Sequence, residues 1–189
     1  MTIDDDKAQA RKQAFAARKA VHGTGRDAAA QEALRSLLGP WHDAALAGYM
    51  PIRTEIDPLP VMAGHGASGA VPVGVPVILA PAQPLVFHRW TPGCAMIDGA
   101  FGARIPAVAV PVVPRVVIVP MVGFDARGFR LGYGGGFYDR TLAQLRAAGP
   151  VLAVGFAFDA QELPEVPIDR FDQRLDAVVT ESGPRLFGG

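Results

Sequence analysis

Short runs of consecutive apolar, mostly β-branched residues, set between segments of helical character, are what most constrain the fold of this chain. Val116–Val119 reads VVIV, and Val75–Leu79, Val151–Phe156 and Ala177–Thr180 are similar. Strands apolar at every position, not at alternate ones, suit a sheet buried on both faces, which in practice is a mainly parallel sheet flanked by helices. The expected fold class is therefore α/β. Helices are expected over residues 4–21, with Asp4–Asp6 at the positive end of the helix dipole, over Arg26–Leu38, stopping at Gly39-Pro40, over Pro58–Gly66 and over Tyr138–Ala148. Further strands are expected at Ala44–Met50, Leu85–Trp90 and Ala107–Val110. Gly64–Gly74 reads as a loop, and the Pro/Gly-rich middle, residues 60–115, as a candidate β-rich insertion. The 189 residues suit one domain spanning 1–189.

Composition narrows the function classes. Half the residues are hydrophobic and the formal net charge is zero, which gives no global electrostatic reason to bind nucleic acid or a membrane surface. The N-terminus, MTIDDDKAQARK, lacks the apolar core of a signal peptide, and no apolar run approaches a membrane span, so a cytoplasmic location is expected. Cys94 is the only cysteine, which excludes an internal disulfide and a cysteine-rich metal site. His22, His42, His65 and His88 have no zinc-ligand spacing, and no serine stands in a nucleophile elbow.

The chemistry concentrates in Arg130–Arg140, RLGYGGGFYDR. Glycines this dense let the backbone approach a ligand closely, and successive N–H groups in such a turn form an anion-binding nest. A helix beginning near Tyr138 would add its positive end. The segment reads as a phosphate cradle, although neither the Walker A pattern nor the GxGxxG dinucleotide pattern fits it. Lys7, Arg11 and Arg18 fall within an arc of roughly 40° on the first helix. The chain's three lysines (Lys7, Lys12, Lys19) all lie there, so a lysine contact with phosphate requires that helix to fold over the loop. Asp139, beside the cradle, is the natural Mg²⁺ ligand, and Asp172 a second one if the fold brings it near. Tyr49-Met50-Pro51 with Glu55 and Asp57 reads either as a ring-binding strand end or as a core strand entering a polar turn.

These segments, taken in order, resemble the 5-formyltetrahydrofolate cyclo-ligase family. The matching stretches are Lys7 with Arg11, YMPIRTEID at 49–57, LVFHRW at 85–90, VPMVGFDARGFRLGYGGGFYDRTL at 119–142, Phe156 with Gln161, and DQRLDAVVTE at 172–181. The resemblance implies an α/β domain of the kind shared with sugar-phosphate isomerases and CoA transferases, working as a monomer. It implies conversion of a small-molecule folate, 5-formyltetrahydrofolate, to 5,10-methenyltetrahydrofolate, with ATP as co-substrate and Mg²⁺ as metal. Carried over residue by residue, it implies Lys7, Arg11, Arg130, Leu131, Gly132, Tyr133, Gly134, Gly135, Gly136, Phe137 and Tyr138 at ATP. Met50 and Glu55 are implied at the pterin end, with Tyr133 to Phe137 also facing the folate, and Asp139 and Asp172 at the metal. Relatives commonly carry an acidic residue where this chain has Ile105 and an aspartate where it has Arg115. These departures leave a non-catalytic folate- or nucleotide-binding paralogue as the alternative.

Overall fold

A computed structural model describes residues 2–188. Helix α1 spans Ile3–Val21 and is opened by a capping box, in which Thr2 Oγ1 accepts from the Asp5 N–H and the Asp5 carboxylate accepts from the Thr2 N–H. Helices α2 (Asp27–Leu38), α3 (Leu59–His65) and α4 (Phe137–Ala148) follow the expected segments closely.

The strands are β1 (Leu46–Ala47), β2 (Val73–Val77), β3 (Val86–Arg89), β4 (Met96–Asp98), β5 (Arg104–Pro106), β6 (Pro111–Val112), β7 (Val116–Val119), β8 (Gly123–Phe124), β9 (Arg130–Leu131), β10 (Leu152–Phe156), β11 (Ala177–Thr180) and β12 (Gly183–Leu186). Eight of them form one sheet in the order β12-β11-β10-β7-β1-β2-β3-β6. The run β11-β10-β7-β1-β2 is parallel throughout, while β12, β3 and β6 attach antiparallel at the two sides. The fold is mixed α/β with a large, mainly parallel central sheet.

Period-2 alternation explains why the central strands are apolar at every position. Val116, Ile118, Val154, Phe156, Ala177 and Val179 join α2 and α3 in one core cluster. Their neighbours Val117, Val119, Ala153 and Val178 face the other way, toward Leu142 of α4. A third, smaller cluster joins Ala14 of α1 to Leu131 of β9 and to Leu163 and Val166.

Three expectations need correction. The strand expected at Ala107–Val110 is absent; strands form on either side of it, as β5 and β6. Residues 60–115 are not an insertion, because β2, β3 and β6 belong to the main sheet and only the β4–β5 hairpin stands apart. The second strand begins at Val73, inside the expected loop, because Gly74 is a strand glycine: a Cβ there would lie 3.1 Å from Phe87 Cβ and 3.2 Å from Val112 Cβ. Trp90 and Phe87 are core residues, as are Tyr49 and Ile56.

The strand order also locates a crevice. From β1 the chain moves outward to β2, and from β7 in the opposite direction to β10 and β11. The reversal falls between β1 and β7, and in open α/β sheets ligands bind beyond the carboxyl ends of strands at such a switch point. Glu55 follows β1, and the β8–β9 hairpin and glycine loop follow β7.

Candidate active site

The glycine loop leaves β9 at Leu131 and enters α4 at Phe137. Gly134 (φ +103°) and Gly136 (φ +63°) adopt backbone that side chains rarely tolerate, and the turn depends on them. Among the described residues, the backbone N–H groups of Gly132 through Gly136 donate to no other protein group. A row of uncommitted N–H groups running into the first turn of a helix is an anion cradle.

Helix α1 lies against this loop, as the lysine argument requires, but arginine makes the contact. Arg11 Nε donates to the Gly132 carbonyl at 2.9 Å, and a Cβ on Gly134 would stand 3.4 Å from Arg11 Nη2. Lys7 turns elsewhere. Its Nζ lies 2.8 Å from Asp169 Oδ2 and 2.7 Å from Asp172 Oδ2. Burial acts to lower the Lys7 pKa, yet the hydrogen bonds and charges of the two aspartates prevail and hold it above the ordinary lysine value. The Lys7 hydrogen bond in turn holds Asp169 below the usual carboxylate range.

Asp139 and Asp172 come within one residue of each other, since the Gln173 N–H donates to Asp139 Oδ1 at 2.9 Å. Each carboxylate is ion-paired: Asp139 Oδ1 to Arg130 Nη2 at 3.0 Å, and Asp172 Oδ2 to Lys7. No hydrogen bond among the described residues falls on Asp139 Oδ2 or Asp172 Oδ1. No group of three or more acidic, histidine or cysteine side chains suited to a metal occurs among those residues. Two carboxylates with one spare oxygen each form a hard-oxygen donor set that fits Mg²⁺, which usually takes one or two carboxylates alongside substrate phosphates.

Glu55 stands beside the loop, 6% exposed. Its Oε2 accepts from the Ile52 N–H at 2.9 Å and its Oε1 from the Tyr133 hydroxyl at 2.9 Å. Burial pushes its carboxyl above the usual range, opposed by those two hydrogen bonds and by the Arg18 and Arg53 charges. The Tyr133 hydroxyl is pushed up to about 12, first by burial and then by Glu55. The Tyr133 ring packs against Phe15, with centroids 5.5 Å apart, and has the Arg53 guanidinium 5.6 Å from its centroid.

Tyr138, at the start of α4, has a hydroxyl that is buried with no hydrogen-bond partner among the described residues. Burial raises its pKa, followed by the charge of Glu55, so this free donor lies in the same electrostatic neighbourhood. Met50 is half-buried against the core cluster of α2 and α3, and Phe137 pairs with Phe101 of the 100–102 turn, centroids 6.4 Å apart. Arg18, the third residue of the basic stripe with Lys7 and Arg11, is not among the residues that the resemblance assigns to ATP or folate. It donates to the Tyr133 hydroxyl at 3.0 Å.

An open N–H loop, a cation beside it, two carboxylates and a buried polar acceptor gather at the switch point of an α/β sheet, an arrangement suited to an anionic ligand beside a hydrogen-bonding one. A family model described as the 5-formyltetrahydrofolate cyclo-ligase family matches residues 3–181. The chain belongs to that family. It is similar to a 5-formyltetrahydrofolate cyclo-ligase of Mycolicibacterium smegmatis, 32% identical over 148 residues covering 70% of this chain and 71% of the relative. The similarity to the Escherichia coli K12 5-formyltetrahydrofolate cyclo-ligase is 48% over 67 residues, and there the matched stretch spans only 36% of the relative's length. The fold superposes on an Aquifex aeolicus 5,10-methenyltetrahydrofolate synthetase with a TM-score of 0.76 at 27% identity, covering 97% of this chain and 93% of that one. It also superposes on a Mycoplasma pneumoniae 5,10-methenyltetrahydrofolate synthetase with a TM-score of 0.74, at 22% identity.

Proposed function

We propose that this chain catalyses the ATP-dependent cyclisation of 5-formyltetrahydrofolate to 5,10-methenyltetrahydrofolate, releasing ADP and phosphate. One residue carries the reading. The backbone of Tyr133 belongs to the open N–H loop, while its hydroxyl donates to the buried Glu55. The anion cradle and the polar acceptor are thus joined, as a reaction between a triphosphate and a folate requires. Family membership over residues 3–181 supports the same reading.

In this reaction the formyl oxygen takes the γ-phosphoryl group of ATP. The neighbouring amine then attacks the formyl carbon, closing a five-membered ring, and phosphate leaves with the formyl oxygen. Such chemistry depends on positioning and on neutralising phosphoryl charge more than on a protein nucleophile. The N–H groups of Gly132 to Gly136, with Arg11 beside them, hold phosphate oxygens in this reading, and Arg130, Leu131, Phe137 and Tyr138 complete the loop's frame. Lys7 joins them by exchanging its aspartate partners for phosphate, which frees Asp172. Asp139 and Asp172 hold Mg²⁺, which supplies charge neutralisation at the phosphates. Glu55 accepts the N–H groups of the pterin, with Met50 against the ring. An acceptor buried at this depth discriminates strongly, because an analogue lacking the N–H leaves it unpaired.

The same reading takes residues 1–189 as one domain of the isomerase/CoA-transferase-like kind, acting as a cytoplasmic monomer without nucleic acid. No helix among the described residues is long and apolar enough to cross a membrane. The departure at Arg115 does not favour the non-catalytic alternative. Arg115 immediately precedes β7, at the amino end of the strand, about 13 Å along the sheet from the carboxyl ends where Glu55 and the glycine loop gather. Purified protein given ATP, Mg²⁺ and 5-formyltetrahydrofolate should produce methenyl absorbance and stoichiometric ADP. No turnover where a known cyclo-ligase works sinks the proposal.

A further inference from the structure

Arg18 lies on α1, 1% exposed, and none of the ion pairs among the described residues includes it. A buried cation without a direct counter-ion is costly and calls for a reason. Each of its three guanidinium nitrogens donates one hydrogen bond, and the three acceptors lie on three segments. Nε donates to Thr54 Oγ1 at 3.0 Å, Nη1 to the Met121 carbonyl at 3.2 Å, and Nη2 to the Tyr133 hydroxyl at 3.0 Å. These contacts tie together the loop after β1, the segment after β7 and the glycine loop.

Arginine can only donate hydrogen bonds. The Tyr133 oxygen must therefore accept from Arg18, and because an ionised Glu55 can only accept, the hydroxyl hydrogen points to Glu55 Oε1. The other carboxylate oxygen is committed as an acceptor by the Ile52 N–H. Each oxygen therefore receives one donor and keeps a further lone pair, which in the ionised carboxylate is an acceptor.

We propose that Arg18 is a positioning residue that holds the Tyr133 hydroxyl as a donor to Glu55, favouring the ionised carboxylate whose free lone pairs meet the N–H groups of a bound substrate. This inference rests on the folate reading of the Glu55 side of the site. The groups facing Glu55 are Arg18 from α1, Arg53 and the Ile52 N–H from its own loop, Tyr133 from the glycine loop, Tyr49 from the end of β1 and Tyr138 from α4. Arg18 is the one among them that sets the orientation of the Tyr133 hydroxyl.

The test compares R18M, R18K, Y133F and the R18M/Y133F double variant by calorimetric binding of 5-formyltetrahydrofolate, by KM for ATP, and by ¹³C NMR titration of the Glu55 carboxyl in the ligand-free protein. R18M and Y133F should each weaken folate binding by roughly tenfold or more, while KM for ATP stays within about threefold. The double variant should be little worse than the weaker single one, because both break one chain. Glu55 should titrate at higher pH in R18M than in the wild type, with R18K between. Additive losses, equal losses for folate and ATP, or an unmoved Glu55 titration would overturn the role of Arg18. Should R18M fail to fold, R18K and Y133F decide by the same readouts. Wild-type protein that does not bind 5-formyltetrahydrofolate overturns the functional reading instead, and the ligand-free titration still judges the hydrogen-bond chain.

Discussion

Glu55→Gln separates a functional role from a structural one, because affinity reads the first and the pH trend of stability the second. The side chain is 6% exposed and uses one lone pair on each oxygen, for Tyr133 and for the Ile52 N–H. A carboxylate has about four acceptor sites, so about two remain for a substrate. The glutamine amide keeps one acceptor oxygen, turns the other into a donor and removes the charge. A hydrogen bond to a charged group contributes about 1.5–3 kcal/mol, so affinity for 5-formyltetrahydrofolate should fall roughly 10- to 150-fold. The amide nitrogen must also face one of the two donors, the Ile52 N–H or the Tyr133 hydroxyl, at a cost of about 1–3 kcal/mol that does not vary with pH. Burial raises the folded-state pKa of Glu55, so its favourable contribution is present below the unfolded value and lost as pH rises through the folded one. At pH 7 the ionised carboxylate therefore subtracts from stability, and glutamine relieves that cost. Urea denaturation should therefore show E55Q gaining on wild type as pH rises from about 4 to 7, with the misplaced donor leaving it the less stable at the acid end. Calorimetric titration measures the affinity. A variant that binds the folate within about threefold of wild type, or whose stability relative to wild type does not rise with pH, refutes the reasoning.

Other predictions follow from the ion pairs and the loop. Asp139→Ala leaves Arg130, with a side chain only 4% exposed, bound to the Gln173 carbonyl alone at 3.2 Å. Its cost should be about 2–4 kcal/mol, reduced from the fully buried case by the partial exposure of Asp139, and seen as a melting point lower by roughly 5–12 °C. Asp139→Asn keeps the acceptor at Oδ1, so it should melt closer to wild type yet still lose Mg²⁺-dependent turnover; an Asp139→Ala variant with unchanged melting contradicts this. Lys7 holds the folded-state pKa of Asp169 down, so that pair stabilises above the unfolded value and its contribution fades as pH falls through the folded one. Urea midpoints measured from pH 6 down to pH 2 should therefore fall less steeply for Lys7→Met than for wild type, and parallel curves argue against the coupling. Gly134→Ala adds a Cβ at φ +103°, facing the Arg11 guanidinium at 3.4 Å. The strain of roughly 1–3 kcal/mol should appear as an increased KM for ATP, with steady-state kinetics showing a smaller change for the folate.

Period and punctuation in the chain were enough for the α/β class and for α1, α2, α4 and the strands β7, β10 and β11, because two-sided burial leaves a continuous apolar run that needs no partner to be recognised. The glycine loop was legible for a similar reason. Gly134 and Gly136 take backbone that other residues resist, and that need is written locally. Gly74 misled the same logic, since its reason lies in Phe87 and Val112 on neighbouring strands. Lys7 and Arg11 read alike on one helical face, yet one meets two aspartates and the other a loop carbonyl.

The sequence by itself determined an open glycine loop, a basic helix face and a set of scattered carboxylates. Tertiary structure alone decided their pairing: Asp139 with Arg130, Asp172 with Lys7, and Glu55 with Arg18 through Tyr133. The physical reason is range. Backbone conformation and burial pattern are local properties that spacing encodes. A hydrogen bond is decided within about 3 Å, and in Arg18–Tyr133–Glu55 it joins residues up to 115 positions apart in the chain.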